Sequence, residues 1–475
     1  MDNSLGGDMS ISNQIQSCLT EQGIQFTIIS GEAVNPLHQL RSANEVSSNA
    51  IVTMVVLEDS IGKAQVLMPA NSFLDLTRLC EALGRNFQGI TQEASTRLAE
   101  KHGAEKIPAI PLLNDIPTVV DKALLNSERL YLEVGNSESY LELSQQEFLK
   151  LVETAETGDY CIPTTNLIPQ SSADKESNVK QINQAVEQFT SLRIQQRLEQ
   201  TLEMPPLPET AERIIQLRIN PEAGVGELAE VVEKDPSLAA QVVSWASSPY
   251  YAAPGTIKSV HDAVVRVLGF DLVINLALGL SLGKTVEIPD DGPHGITPYW
   301  QQAVCSAAMM EGLVKAMSPD SRPSMGLAYL SGLLHNYGYL VLAHIFPPYF
   351  SLINRYIEAN PHVCHVHVEH HLLGVTRDQI GGALMECWNM PEEVVSALRY
   401  QHSPDNDGEH AVYSQLLHVA TQAMINAGLT QGPRKQLDTS LLTTLTLDAD
   451  DVEAVIQRLV ESKDDLMSMA RSLER

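Results

Sequence analysis

Fourteen histidines occur in this chain, and three of them stand where imidazole chemistry would matter most: His335, His402 and His418. His335 is followed by Asn336 in the middle of GLAYLSGLLHNYGYLVL, residues 326–342. Imidazoles joined by carboxylates could converge on a divalent ion and activate a water. Asn336 offers no charge, so the doublet lacks half of such a ligand set. His335, His402 and His418 together could rebuild a metal site; the plainer reading of the doublet is a polar tie between helices, worth roughly 1 kcal/mol when satisfied. Adjacent histidines on a helix point in different directions, so His370-His371 is not by itself a chelate. In the first third of the chain the candidates are Thr53, on an apolar stretch, and Asp121. The six cysteines have no metal-finger spacing and are read as reduced, mostly buried thiols.

Elements must position these groups. The apolar residues Leu327, Leu330, Leu333, Leu334 and Leu340 recur at helical spacing and predict one buried helix ending near Gly338. Around it the spacing predicts helices over 209–217, 225–234, 237–247, 261–268 and 271–282, with Ser259 and Asp262 set as a capping box. A further amphipathic helix follows Asp448 and runs through Met469.

The first third reads differently. AIVTMVVL, residues 50–57, is a near-continuous apolar strand of the kind covered on both faces. Strands are also predicted over 24–29, 64–68, 118–121, 129–134 and 140–143, and helices over 13–22, 73–83 and 91–102. Residues 158–178 are rich in Pro, Ser, Thr and charge and read as a linker. The fold class expected is therefore multidomain: an N-terminal α+β domain over 12–157, the linker, a connecting helix over 179–203, an all-α domain over 197–430, and a helical extension over 437–475.

Composition narrows the function classes. With 31 Lys+Arg against 59 Asp+Glu the net charge is −28, which disfavours non-specific binding to nucleic acid or to an anionic membrane. No apolar run reaches the ~18 residues of a membrane span, and the N-terminal residues have no signal-peptide pattern. A cytoplasmic protein is expected.

The N-terminal order of pieces resembles the YbaK/prolyl-tRNA-deacylase-associated family. The resemblance rests on AIVTMVVL, on VLMPANSFLDLTRLCEALG, on the segment from Gly103 to Pro111, and on Asp121 and Gly135. It implies a pocket that removes mischarged amino acids from tRNA, using a lysine just before a threonine on the apolar strand. This chain has Val52-Thr53 there, and Ser137-Glu138-Ser139 where the family's last hairpin carries a second glycine. Val52, Thr53, Asp121 and Gly135 are thus expected to mark a vestigial deacylase-like pocket.

The helical part resembles the HDOD (HD-related output) family. The shared features are PPLP from 205, Asp235-Pro236, ASSPYY, the Leu268-Gly269 junction, GLLHN with its following glycine, GVTR from 374, WNMP from 388, and Gln401-His402. HD hydrolases hold metal with an early histidine, a His-Asp doublet and a late aspartate. The matching positions here are Gln302, His335-Asn336 and Thr421; Arg377 stands where relatives often carry a histidine, and Gln401-His402 where they carry His-His. Gln302, His335, Asn336, His402 and Thr421 form the expected vestigial HD site, with no metal and no cofactor. The resemblance implies a bacterial signalling or regulatory protein that acts by binding a protein partner or a small ligand such as a nucleotide or amino acid. The alternatives are a metal-dependent phosphohydrolase or cyclic-dinucleotide phosphodiesterase, and an aminoacyl-tRNA deacylase.

Overall fold

The computed structural model describes residues 12–30, 50–136, 139–167, 181, 206–253, 255–283, 299–345, 347–471 and 473. They form two compact units: the first holds 12–167 together with Ser351–Leu372, and the second holds the other described residues. The connecting helix expected over 179–203 lies outside the described residues except for Gln181, and so do Ser137 and Glu138.

The first unit is built on a mixed sheet of β1 (Thr27–Ser30), β2 (Ile51–Glu58), β3 (Lys63–Pro69), β5 (Gln88–Gly89), β6 (Thr118–Asp121), β7 (Arg129–Glu133), β8 (Ser139–Ser144) and β9 (Glu156–Gly158). The order is β1-β8-β7-β2-β3-β6-β9, with β5 added to β2. β2 is antiparallel to β3 and parallel to β7, so it sits in the interior of the sheet. Its unbroken apolar sequence follows from two covered faces. Val52 and Met54 enter a cluster with Ile15, Leu19, Phe148 and Leu151. Val55 and Leu57 enter another with Leu79, Phe87, Tyr356, Ala359, Val363 and Val368. The last four come from Ser351–Leu372, more than 180 residues beyond the rest of the unit.

Three expectations for this unit change. The helix placed over 73–83 begins at Leu76, because Asp75 caps it by accepting the Thr77 and Arg78 N–H groups. The preceding β4 (Ser72–Leu74) pairs instead with β10 (Cys161–Pro163). The linker placed from 158 begins later: residues 158–167 contribute β10, a 3-10 turn and the buried Tyr160 and Leu167. A helix over Gln145–Leu151, capped by Ser144, was not anticipated.

The second unit is helical throughout its described residues. Helices Glu209–Ile219, Val225–Glu233 and Pro236–Ala246 lead to Val260–Ala263, which Ser259 caps and which continues as a π turn over Val264–Leu268. Asp262 does not return the bond to Ser259 as a capping box would; its carboxylate accepts the Lys258 N–H. Phe270–Gly283, Tyr299–Ala316 and Met325–Leu334 then form the interior. The last two approach closely at Gly332, where a Cβ would lie 2.7 Å from the Ser306 carbonyl oxygen and 2.8 Å from the Ala307 Cα.

The single helix expected from 326 to near Gly338 is two. The first stops at Leu334, residues 335–336 turn, and a second runs over Tyr337–Ile345 with Gly338 inside it rather than at its end. Helices Arg377–Cys387, Glu392–Tyr400 and Ala411–Asn426 complete the site's surroundings. The tail helix is likewise two, Ala449–Glu461 and Lys463–Arg471, divided at Ser462. It packs on the helical unit, with Val455 against Gly312. No helix among the described residues is long and apolar enough to cross a membrane.

Candidate functional site: a polar centre without acids at the doublet

Thr376 caps Arg377–Cys387, and Gln379 three residues on completes a capping box, so Arg377 and Asp378 fall in the first turn. Neighbouring positions on a helix diverge by about 100°, and these two side chains reach different parts of the site. Both residues are about 5% exposed. Arg377 Nη1 donates to Asn336 Oδ1 at 2.9 Å, and its guanidinium carbon lies 4.6 Å from the centroid of the Tyr339 ring. Asn336 Nδ2 in turn donates to Gln302 Oε1 at 3.3 Å. The chain Gln302–Asn336–Arg377 thus joins two helices through the 335–336 turn.

Asp378 serves the other side. Its Oδ1 accepts Gln401 Nε2 at 2.9 Å and its Oδ2 accepts His402 Nδ1 at 2.6 Å. Gln401 Nε2 also donates to the His335 carbonyl at 3.0 Å. His335 Nδ1 donates to the Gly332 carbonyl at 2.7 Å, and His418 Nδ1 to the Gln401 carbonyl at 2.9 Å. An acceptor opposite each Nδ1 fixes the tautomer with the proton there. Burial pulls the His335 pKa from 6.5 down to about 4, opposed by its bond to Gly332 and assisted by the nearby Arg377 charge, so the ring is neutral at pH 7. Burial lowers His418 in the same direction.

Of the expected residues, the structure brings Gln302, His335 and Asn336 together with His402 through the Asp378–Gln401 bridge. Thr421 lies one turn beyond His418 on Ala411–Asn426, and its hydroxyl is buried with no hydrogen-bond partner among the described residues. His335, His402 and His418 do not form a mutual ligand cluster among the described residues. The doublet end of the site therefore does not fit a divalent ion. The Gln302 and Asn336 carboxamide oxygens are neutral and each accepts an N–H. A dication at Asn336 would stand about 5 Å from a guanidinium, a repulsion on the order of 5–8 kcal/mol at an effective dielectric near 20. Sequence reasoning noted Arg377 as a replacement but missed its bond to Asn336, and it passed over Asp378. The T-x-x-Q box from Thr376 was the available signal, since it fixes which residues open that helix.

In the first unit the four expected residues do not line one pocket. Val52 and Thr53 are consecutive on β2 and face opposite sides of the sheet, with Val52 fully buried in the apolar cluster of Ile15 and Leu19. Thr53 Oγ1 donates to Glu133 Oε2 at 2.6 Å, a partner not foreseen. Asp121 is committed to backbone: Oδ1 accepts the Ala123 N–H, and Oδ2 accepts those of Tyr160 and Cys161 at 2.8 and 2.9 Å. Gly135 has φ 91° and its carbonyl accepts the Glu105 and Lys106 N–H groups. A Cβ there would lie 2.4 Å from the Lys106 carbonyl oxygen. Asp121 and Gly135 hold loops in place.

An α/β sheet unit with a helical unit carrying an HD-like centre defines the class: a two-module protein of editing-type and HD-related folds. The HDOD domain family matches residues 204–404, and the aminoacyl-tRNA editing domain family matches 32–151. A solved protein from Marinobacter aquaeolei VT8, assigned to signal transduction, is 41% identical over 97% of this chain and 99% of its own, with a TM-score of 0.86. The chain accordingly belongs to the HDOD-domain proteins that carry an N-terminal YbaK-like editing domain. An uncharacterized protein of Treponema pallidum is 26% identical over 246 residues, 51% of this chain and 46% of the relative, so the chain matches about half of that protein's length. A Shewanella amazonensis SB2B protein assigned as a phosphohydrolase is 20% identical, covering 61% of this chain and 98% of its own at a TM-score of 0.46.

Proposed function

We propose that this is a non-catalytic bacterial regulatory protein of the cytoplasm, whose HDOD module is an output element acting through a protein partner or a small ligand. The editing-type domain is retained as a sensor or contact module. The observation that carries this reading is the prior commitment of the chemical side chains. Asp121 is bonded to three backbone N–H groups, and the Asn336 carboxamide to Gln302 and Arg377. A group already engaged in holding the fold is not available to activate water or bind an ester without breaking those bonds. The similarity along nearly its full length to a protein assigned to signal transduction supports the same reading.

The test is turnover by the purified full chain. Bis(p-nitrophenyl) phosphate, cyclic dinucleotides and mischarged tRNA are each incubated with it, the phosphoesters with and without Mn2+, Mg2+ and Fe2+. No release above buffer is expected. Phosphoester hydrolysis abolished by His335→Ala, or deacylation abolished by Thr53→Val, would restore the corresponding enzyme reading.

A further inference from the structure

We infer that Arg377 is the resident cation of the helical unit's polar centre, and that its guanidinium and a divalent metal exclude one another there. The inference rests on the non-catalytic reading and adds what holds the centre together. Three observations converge on Arg377. Its Nη1 bonds the Asn336 oxygen, the atom at the doublet that faces a positive group. Tyr339 supplies a ring face beneath the guanidinium, and cation–π contact favours a delocalised, weakly hydrated charge. The backbone is also built for it. A Cβ on Gly338 would lie 1.9 Å from the Arg377 carbonyl oxygen, so the glycine lets the first turn of Arg377–Cys387 rest directly on the helix that follows the doublet.

The substitutions at 336 and 377 are then one change in two places. With a cation fixed in the centre, a neutral acceptor at 336 gives it a partner without requiring a second charge to be buried. A carboxylate at 336 would pair with Arg377 and be neutralised before any metal could use it. Remove the guanidinium while leaving the carboxylate, and the centre holds an uncompensated anion beside the His335 imidazole, a carboxylate-led donor pair that Mn2+ can use.

The experiment uses four full-length proteins and Mn2+ alone as the probe: wild type, Asn336→Asp, Arg377→Met and the double variant, each melted with and without millimolar Mn2+. Arg377→Met is expected to melt several degrees below wild type and to ignore Mn2+. Wild type and Asn336→Asp are expected to ignore it as well. Only the double variant should gain, by roughly 3–5 °C. A Mn2+-dependent rise in wild type or Asn336→Asp equal to that of the double variant would overturn the assignment, and so would an Arg377→Met protein as stable as wild type. If the double variant does not fold, Arg377→Lys decides. Retaining charge without the planar fork, it should melt between wild type and Arg377→Met, and a Lys variant no better than Met overturns the proposal. Phosphoester turnover by wild type would instead sink the reading beneath it, independently of these melts.

Discussion

The Asn360 side chain pairs with both backbone polar groups of Leu74: its Oδ1 accepts the Leu74 N–H at 2.6 Å and its Nδ2 donates to the Leu74 carbonyl at 3.1 Å. The carboxamide is fully buried and behaves as one residue of an added strand along β4. Tyr356 stacks on Phe73 nearby, with centroids 5.5 Å apart, and its hydroxyl meets Thr77 and Asp75. Replacing Asn360 by Ala strands a donor and an acceptor in the interior. The expected loss is about 2–4 kcal/mol, read as a lower urea midpoint for the first unit.

A consequence concerns fragments. Residues 1–170 alone lack Tyr356, Ala359, Val363 and Val368 over one face of the sheet. That fragment is expected to bind 8-anilinonaphthalene-1-sulfonate with several-fold greater fluorescence per mole than the full chain, and to associate at concentrations where the full chain does not. A fragment with native-like low dye binding would refute the assignment of Ser351–Leu372 to this unit.

His335 makes stability depend on pH. Its pKa is about 4 when folded and 6.5 in an unfolded reference, so between those values the unfolded chain binds a proton that the native one refuses. Stability is therefore fully present above pH 6.5 and falls as pH drops toward 4. Allowing for the ring's partial exposure, the contribution is on the order of 2–3 kcal/mol. His335→Gln should flatten the pH slope of the unfolding free energy within that window, measured by urea titration against wild type. An unchanged slope would mean that the imidazole is not held neutral.

Gly338→Ala tests the helix contact beneath Arg377. The added methyl meets the Arg377 carbonyl oxygen and, at 3.1 Å, the Gly381 nitrogen, neither of which can rotate away. Destabilisation of about 2–3 kcal/mol is expected by chemical denaturation, whereas Gly224→Ala, with nothing within 4 Å, should cost far less.

How much of this was legible in the sequence depends on the distance over which the cause acts. β2 could be read from its own residues, because coverage of both faces leaves a local imprint, and β6 matched at Thr118–Asp121. The helices between Glu209 and Gly283 were legible from caps and apolar spacing for the same reason. The break at 335–336 was not. Apolar residues continue across it in register, and the turn is tied down by partners 34, 41 and 66 positions away, Gln302, Arg377 and Gln401. The same holds for Phe73, which the local pattern assigns to a helix and the pairing with Ile162 places in a strand. Asn360 gives no local sign of Leu74, 286 residues earlier. Asp121 was assigned to a vestigial pocket, whereas its carboxylate accepts three backbone N–H groups, a role that residue type alone does not distinguish from catalysis.

Because the sheet unit borrows Ser351–Leu372, it cannot be finished in the order in which it is made. A ribosome that has delivered residue 167 must add about two hundred more before the missing cover emerges, roughly 10–40 s at bacterial elongation rates. Throughout that interval Val55, Leu57 and Phe87 face outward on the nascent chain, a natural stretch for a holding chaperone to occupy.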